Sequence, residues 1–143
     1  MNTPIAPLSR VVSLLGSSLA MYVADAGIWT YPGAEEIKLA LADLADGHRS
    51  LIERAGAILE DRGAEVPRHP YPIQFTATHD LDLRSLLPRI VASLESQVAG
   101  LEGTAAGGGD AEELDLVREA ITSSRAHLND LQQLLARPRI AAG

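Results

Sequence analysis

The sequence predicts an all-α domain built as a four-helix bundle, and two kinds of observation lead there. The 143 residues are 46 % apolar but only 3 % aromatic, so the core must be made of Leu, Ile, Val and Ala, a composition that suits helices better than a sheet. Four stretches then repeat apolar residues at alternating steps of three and four, the period of a helix with one buried face. The length fits one domain with a real core and is short for two, so residues 1–143 are read as a single unit.

The first helix spans about 7–30, with the seam Leu8, Val12, Leu15, Leu19, Tyr22, Ala26 and Trp29. A second stripe, Val11, Leu14, Met21 and Ile28, lies beside it. The helix is therefore apolar around most of its circumference, and Tyr31-Pro32-Gly33 ends it. The second helix, about 34–62, opens on Glu35 and Glu36 and closes at Gly63, an arrangement its dipole favours. Its seam is Ile37, Leu41, Leu44, His48, Leu51, Ala55 and Ile58. Residues 63–79 carry three prolines and break both periodicities. They form a connection with Tyr71, Ile73 and Phe75 pinned to the side of the bundle.

The third helix starts near Asp80 or Asp82 and runs to about 103, with seam Leu83, Leu87, Ile90, Leu94, Val98 and Leu101. Pro88 inside it predicts a late start or a kink. Asp110 follows a glycine-rich turn as an N-cap. The fourth helix, about 110–137, carries Leu114, Val117, Ile121, Ser124, Leu128, Leu131 and Leu135, with His127 flanking. Residues after Pro138 read as a tail. Short outer connections make helices 1 and 2 antiparallel, and likewise 3 and 4. The middle connection of about 17 residues could extend ~55 Å, longer than the ~42 Å of a 28-residue helix. It can cross the whole bundle and leave helices 2 and 3 parallel, the alternative being an up-down-up-down bundle with a wandering loop.

Composition also excludes chemistry. The absence of cysteine removes a disulfide scaffold, a thiolate zinc site, an iron–sulfur cluster and a thiol nucleophile. A formal charge of −7, with scattered arginines that lack aromatic partners, argues against nucleic-acid binding. The uncharged run of residues 11–24 is shorter than the ~20 residues of a membrane span. With Arg10 before it and Ala24-Asp25-Ala26 after it, this run has a signal-peptide look that would imply secretion. Cleavage there would delete a core helix, so a cytoplasmic location is the expectation.

The notable polar seam residue is His48. A lone histidine on an apolar face is commonly a neutral core residue bonded to a hydroxyl, a carbonyl or a buried water. Ser17, Ser18 or Ser124 could serve. The small residues Gly16, Ser17, Ser18, Ala45, Gly47 and Ser124 fall at the same level and could leave a pocket. His127 lies at a similar depth on the fourth helix. Elsewhere, His69 reads as loop surface, His79 as a helix-start residue, and the acids of residues 110–115 as a dipole-favoured first turn.

In helix number, lengths and the long middle connection, residues 7–137 resemble the ferritin-like superfamily. That resemblance implies two metals held by a Glu on helices 1 and 3 and a Glu-x-x-His on helices 2 and 4. Here His48 and His127 match the histidines, but the residues three before them are Ala45 and Ser124. The levels of Ser17 and Ser85, where the remaining carboxylates would sit, carry no seam acid. Two hard cations need anionic oxygen ligands.

The expectation is therefore a non-catalytic ferritin-like bundle without a cofactor, acting as a structural or partner-binding module. Its second apolar stripe suggests a homodimer through helix 1. The alternative is an iron- or transition-metal-binding protein, or an oxidase, using His48 and His127. A haem held between the two histidines ranks last.

Overall fold

The structure, a computed structural model, describes residues 7–26, 34–68, 70–72, 75 and 82–137, the side chains of residues 25 and 26 apart. Its helices are α1 (Pro7–Gly16), α2 (Leu19–Ala26), α3 (Glu35–Asp61), α4 (Leu83–Ala106) and α5 (Ala111–Ala136). The long α3 packs against α1, α2 and α5, and α4 packs against α5 and α1. The result is an all-α helical bundle.

The single first helix expected over 7–30 is broken in two at Ser17 and Ser18. Ser17 closes α1, its amide and hydroxyl both donating to the Ser13 carbonyl at 3.2 and 2.6 Å. Ser18 opens α2 as an N-cap whose Oγ accepts the Met21 amide at 3.2 Å. The seam stays in register because Leu15 and Leu19 remain four apart. Leu8, Val12, Leu15 and Leu19 are all buried as that seam requires, and Tyr22 is half-buried.

The second stripe is also covered, but from within the chain. Val11 and Met21 are buried, and Leu14 lies half-buried over Gly100 of α4, where an added Cβ would come within 3.2 Å of its methyl. A dimer through helix 1 is expected from a bare stripe, and Val11 and Met21 are already covered within one chain. Ile28, Trp29 and the 31–33 stop lie outside the described residues.

The other helices follow their seams with small rotations. All of Ile37, Leu41, Leu44, His48, Leu51 and Ala55 are buried, but α3 ends its core face on Leu59 rather than Ile58. On α4 the expected seam is buried throughout, joined by Leu86, Val91 and Gln97. On α5 the face turns toward Leu116 and Ala120, leaving Leu114 half-buried and Leu135 exposed.

The helix starts at Leu83, capped by the expected Asp82, so Pro88 causes no late start and lies inside α4 without interrupting it. Pro88 and Arg84 are exposed, so the Arg84 carbonyl that Pro88 cannot satisfy lies on the wet side of the helix. Asp82 caps this start by accepting the Ser85 amide at 2.7 Å. Asp82→Ala is therefore expected to lower stability by about 1 kcal/mol in urea unfolding. Asp110 forms a full capping box with Glu113, the two reciprocal bonds measuring 2.9 and 3.0 Å.

Exposed arginines set helix register. Arg54 on α3 grips Glu119 on α5 through two bonds of 2.6 and 2.8 Å. Arg62, at the end of α3, reaches Asp110 and Glu112 at the start of α5, each at 2.8 Å. Rising numbers on α3 thus meet falling numbers on α5, so the two run antiparallel. Arg125 on α5 bonds Glu102 on α4 at 2.9 Å, and Arg137 pairs with Glu36. Such water-exposed pairs stabilise little and mainly select one alignment.

The buried residues of the core fall into two apolar clusters, which Ile52 touches on either side. One apolar cluster gathers Leu19–Val23 of α2, Ile37–Ala45 of α3, Leu83–Leu94 of α4 and Leu131 of α5. The other gathers Leu8–Leu15 of α1, Leu51–Leu59 of α3, Leu101 of α4 and Leu116–Ile121 of α5. The connection after α3 touches both. Val66 covers Gly56 beside the second cluster, its methyls 3.7 Å from where a Cβ on Gly56 would sit. Tyr71 and Phe75 stack against Tyr22 at the first, with ring centroids 5.1 and 5.6 Å away. Those two rings are placed as the sequence predicts, and Ile73 lies outside the described residues.

Candidate functional site: a polar belt across the bundle

Each helix changes cluster at a polar residue. Between Ala45 and Leu51 on α3 stands His48, between Leu94 and Leu101 on α4 stands Gln97, and between Ile121 and Leu131 on α5 stands Ser124. The α1–α2 pair changes cluster at Ser17 and Ser18, where the helix breaks. His48 and Ser124 have no exposed surface, Gln97 only 4 % and Ser18 only 8 %. A polar belt therefore lies between the two buried clusters at mid-height.

Helical spacing brings the three innermost residues together. The Gln97 amide nitrogen donates to His48 Nε2 at 2.9 Å and to Ser124 Oγ at 3.2 Å. Both amide protons are then used, and His48 accepts at Nε2, so its own proton sits on Nδ1. Neither His48 Nδ1 nor Gln97 Oε1 has a partner among the described residues. Buried polar side chains of this kind add less stability than the apolar clusters above and below them.

Burial fixes the protonation state. Removal from water, reinforced by the neighbouring His127 charge, lowers the His48 pKa from 6.5 to about 4. His127 lies half-buried, with its ring 5.9 Å from that of His48 and nearly perpendicular to it. Burial lowers its pKa as well, opposed by the charges of Asp43 and Asp130. Its Nε2 lies over Gly47, where an added Cβ would approach it to 3.2 Å. Gly47 is small because His127 occupies that space.

The structure brings the two expected histidines together at one level and gives His48 an uncharged partner. Of the three serines considered as its partner, Ser124 is in the network, reached through Gln97. Among the described residues, no group of three or more His, Asp or Glu side chains converges as metal ligands would. His69 and His79 lie outside the described residues.

The expected small-residue pocket divides. Gly16 and Ala45 are buried in the packing, Gly47 faces His127, and Ser124 belongs to the belt. Ser17 and Ser18 instead line a surface pocket of about 190 Å³ with Leu14, Ser93, Ser96 and Gln97.

Gln97 is the residue sequence reasoning missed. It lies three residues after Leu94 and four before Leu101, inside the α4 seam. Val98 beside it satisfies the same periodicity and hid it. No family model, curated protein or solved structure matches this chain. No described helix is long and apolar enough to cross a membrane.

Proposed function

We propose that this chain is a non-catalytic bundle of ferritin-like build, serving as a structural or partner-binding module. A neutral hydrogen-bonded belt takes the level at which such bundles hold metal. The order in which the helices visit the clusters supports the build. The α1–α2 pair passes from the second cluster to the first, α3 and α4 both pass from the first to the second, and α5 returns. Helices α3 and α4 also touch least among the long helices, as parallel helices across a diagonal do.

One observation carries the non-catalytic part. His48 faces an amide and, through it, a hydroxyl, where a di-iron centre needs bridging carboxylates. Metal analysis after anaerobic loading with ferrous iron tests it, and no stoichiometric iron is expected. Iron bound stoichiometrically by the wild type and lost in a His48→Ala, His127→Ala double variant would establish the metal-binding alternative. Light scattering on the same sample tests the assembly. The internal cover over Val11 and Met21 favours a monomer, and a stable homodimer would require an interface away from those residues.

A further inference from the structure

We infer that the proline-rich middle of the connection between α3 and α4 is a docking ridge for a partner domain with an aromatic-lined, polyproline-binding groove. Such a ridge deepens the partner-binding reading above, on which it rests, by naming the class of partner. The segment carries Val66, Pro67 and Arg68, then Pro70, Tyr71 and Pro72. These residues belong to no helix or strand.

The prolines dictate its shape. Each fixes its own φ near about −65°, and each holds the residue before it extended, which constrains Val66 and Tyr71. Such a stretch favours the polyproline II helix, with about three residues per turn and no internal hydrogen bonds. Pro67 and Pro70 then stand one turn apart on the same edge.

Packing ties the segment to the bundle near both ends. The Val66 methyls lie 3.7 Å from where a Cβ on Gly56 of α3 would sit. The Tyr71 ring meets Tyr22 of α2 edge-on, with centroids 5.1 Å apart. Facing outward are Arg68, Pro70 and Pro72, all exposed, while Pro67 is half-buried. The bundle thus presents its prolines already extended, in the form that aromatic-lined grooves accept. Part of the ordering entropy is lost on folding rather than on binding. Arg68 beside the prolines favours a groove with an acidic rim.

Probing an array of purified SH3 and WW domains with the full chain, then measuring each positive by fluorescence titration, tests the inference. At least one domain is expected to bind at micromolar concentration. A Pro70→Ala, Pro72→Ala double variant should bind at least about tenfold more weakly while its far-UV spectrum stays unchanged. Arg68→Glu should weaken binding as well. A free peptide of residues 64–74 should bind less tightly than the full chain, because nothing holds it extended. No domain binding below millimolar concentration, binding undiminished in either variant, or a peptide as tight as the full chain would each overturn the inference. Any of these would leave the non-catalytic bundle standing, whereas stoichiometric iron would remove that reading without altering this titration.

Discussion

Replacing His48 with alanine is expected to cost about 3 kcal/mol, whereas replacing His48 and Gln97 together with leucine is expected to restore or exceed wild-type stability. The single change empties a buried ring's volume and leaves one Gln97 N–H with no acceptor. Cavity and orphaned donor both act in the destabilising direction. The double leucine variant removes both ends of the bond at once. It also eliminates the two atoms that already lack partners, His48 Nδ1 and Gln97 Oε1. Exchange of a buried polar pair for well-packed apolar groups is commonly neutral or stabilising. Ser124 would lose Gln97 but can turn its hydroxyl to the carbonyl four residues back. Urea unfolding of the three proteins checks this. Additive losses in the leucine double variant would show that the belt stabilises the fold.

Acid is expected to weaken the fold through the same ring, by about 3 kcal/mol between pH 7 and pH 4. His48 has its pKa lowered from 6.5 to about 4 in the folded chain, so the unfolded chain binds the proton more readily. The stability contributed is complete above pH 6.5 and is lost as pH falls toward 4. A difference of two and a half units at about 1.4 kcal/mol each gives the total. His127 faces His48 across the belt, with Asp43 and Asp130 acting on it, and its own lowered value adds a loss of the same sign. The exposed carboxylates paired with arginine, Asp110 and Glu119, have lowered values as well. They begin to lose their contribution as pH falls through their ordinary 3.8 and 4.5, at the acid edge of this window. Guanidinium-free thermal melts across pH 4–7 should therefore slope in the wild type. In the His48→Leu, Gln97→Leu variant only the weaker His127 slope should remain above about pH 5.

The bundle was legible in the sequence because helical burial repeats along the chain. Nearly every seam residue of α3 and α4 lies where the three–four spacing puts it, and the two histidines meet at one level, His48 from its seam and His127 from beside the seam of α5. The break at Ser17–Ser18 left no trace in that pattern, since Leu15 and Leu19 keep the interval of an unbroken helix. Its signals were chemical: a glycine followed by two serines, the second able to cap. The pocket depends on that break and on the approach of α1 to α4 over Gly100, a tertiary contact without a periodic signature. The His48 network was half visible. Ser124 stood in its seam as an obvious polar residue, but Gln97 was masked by Val98. The turn of α5 that exposes Leu135 and buries Leu116 is a rotation of the stripe, which spacing alone does not determine.

The most direct measurement is the pH titration of the His48 imidazole by ¹⁵N-detected NMR, in the presence and absence of ferrous iron. The expected result is a ring neutral at pH 7, protonated on Nδ1 with Nε2 accepting, unmoved by iron and titrating only near pH 4. A ring that titrates near its ordinary 6.5, or one whose signals shift stoichiometrically with iron, would contradict it.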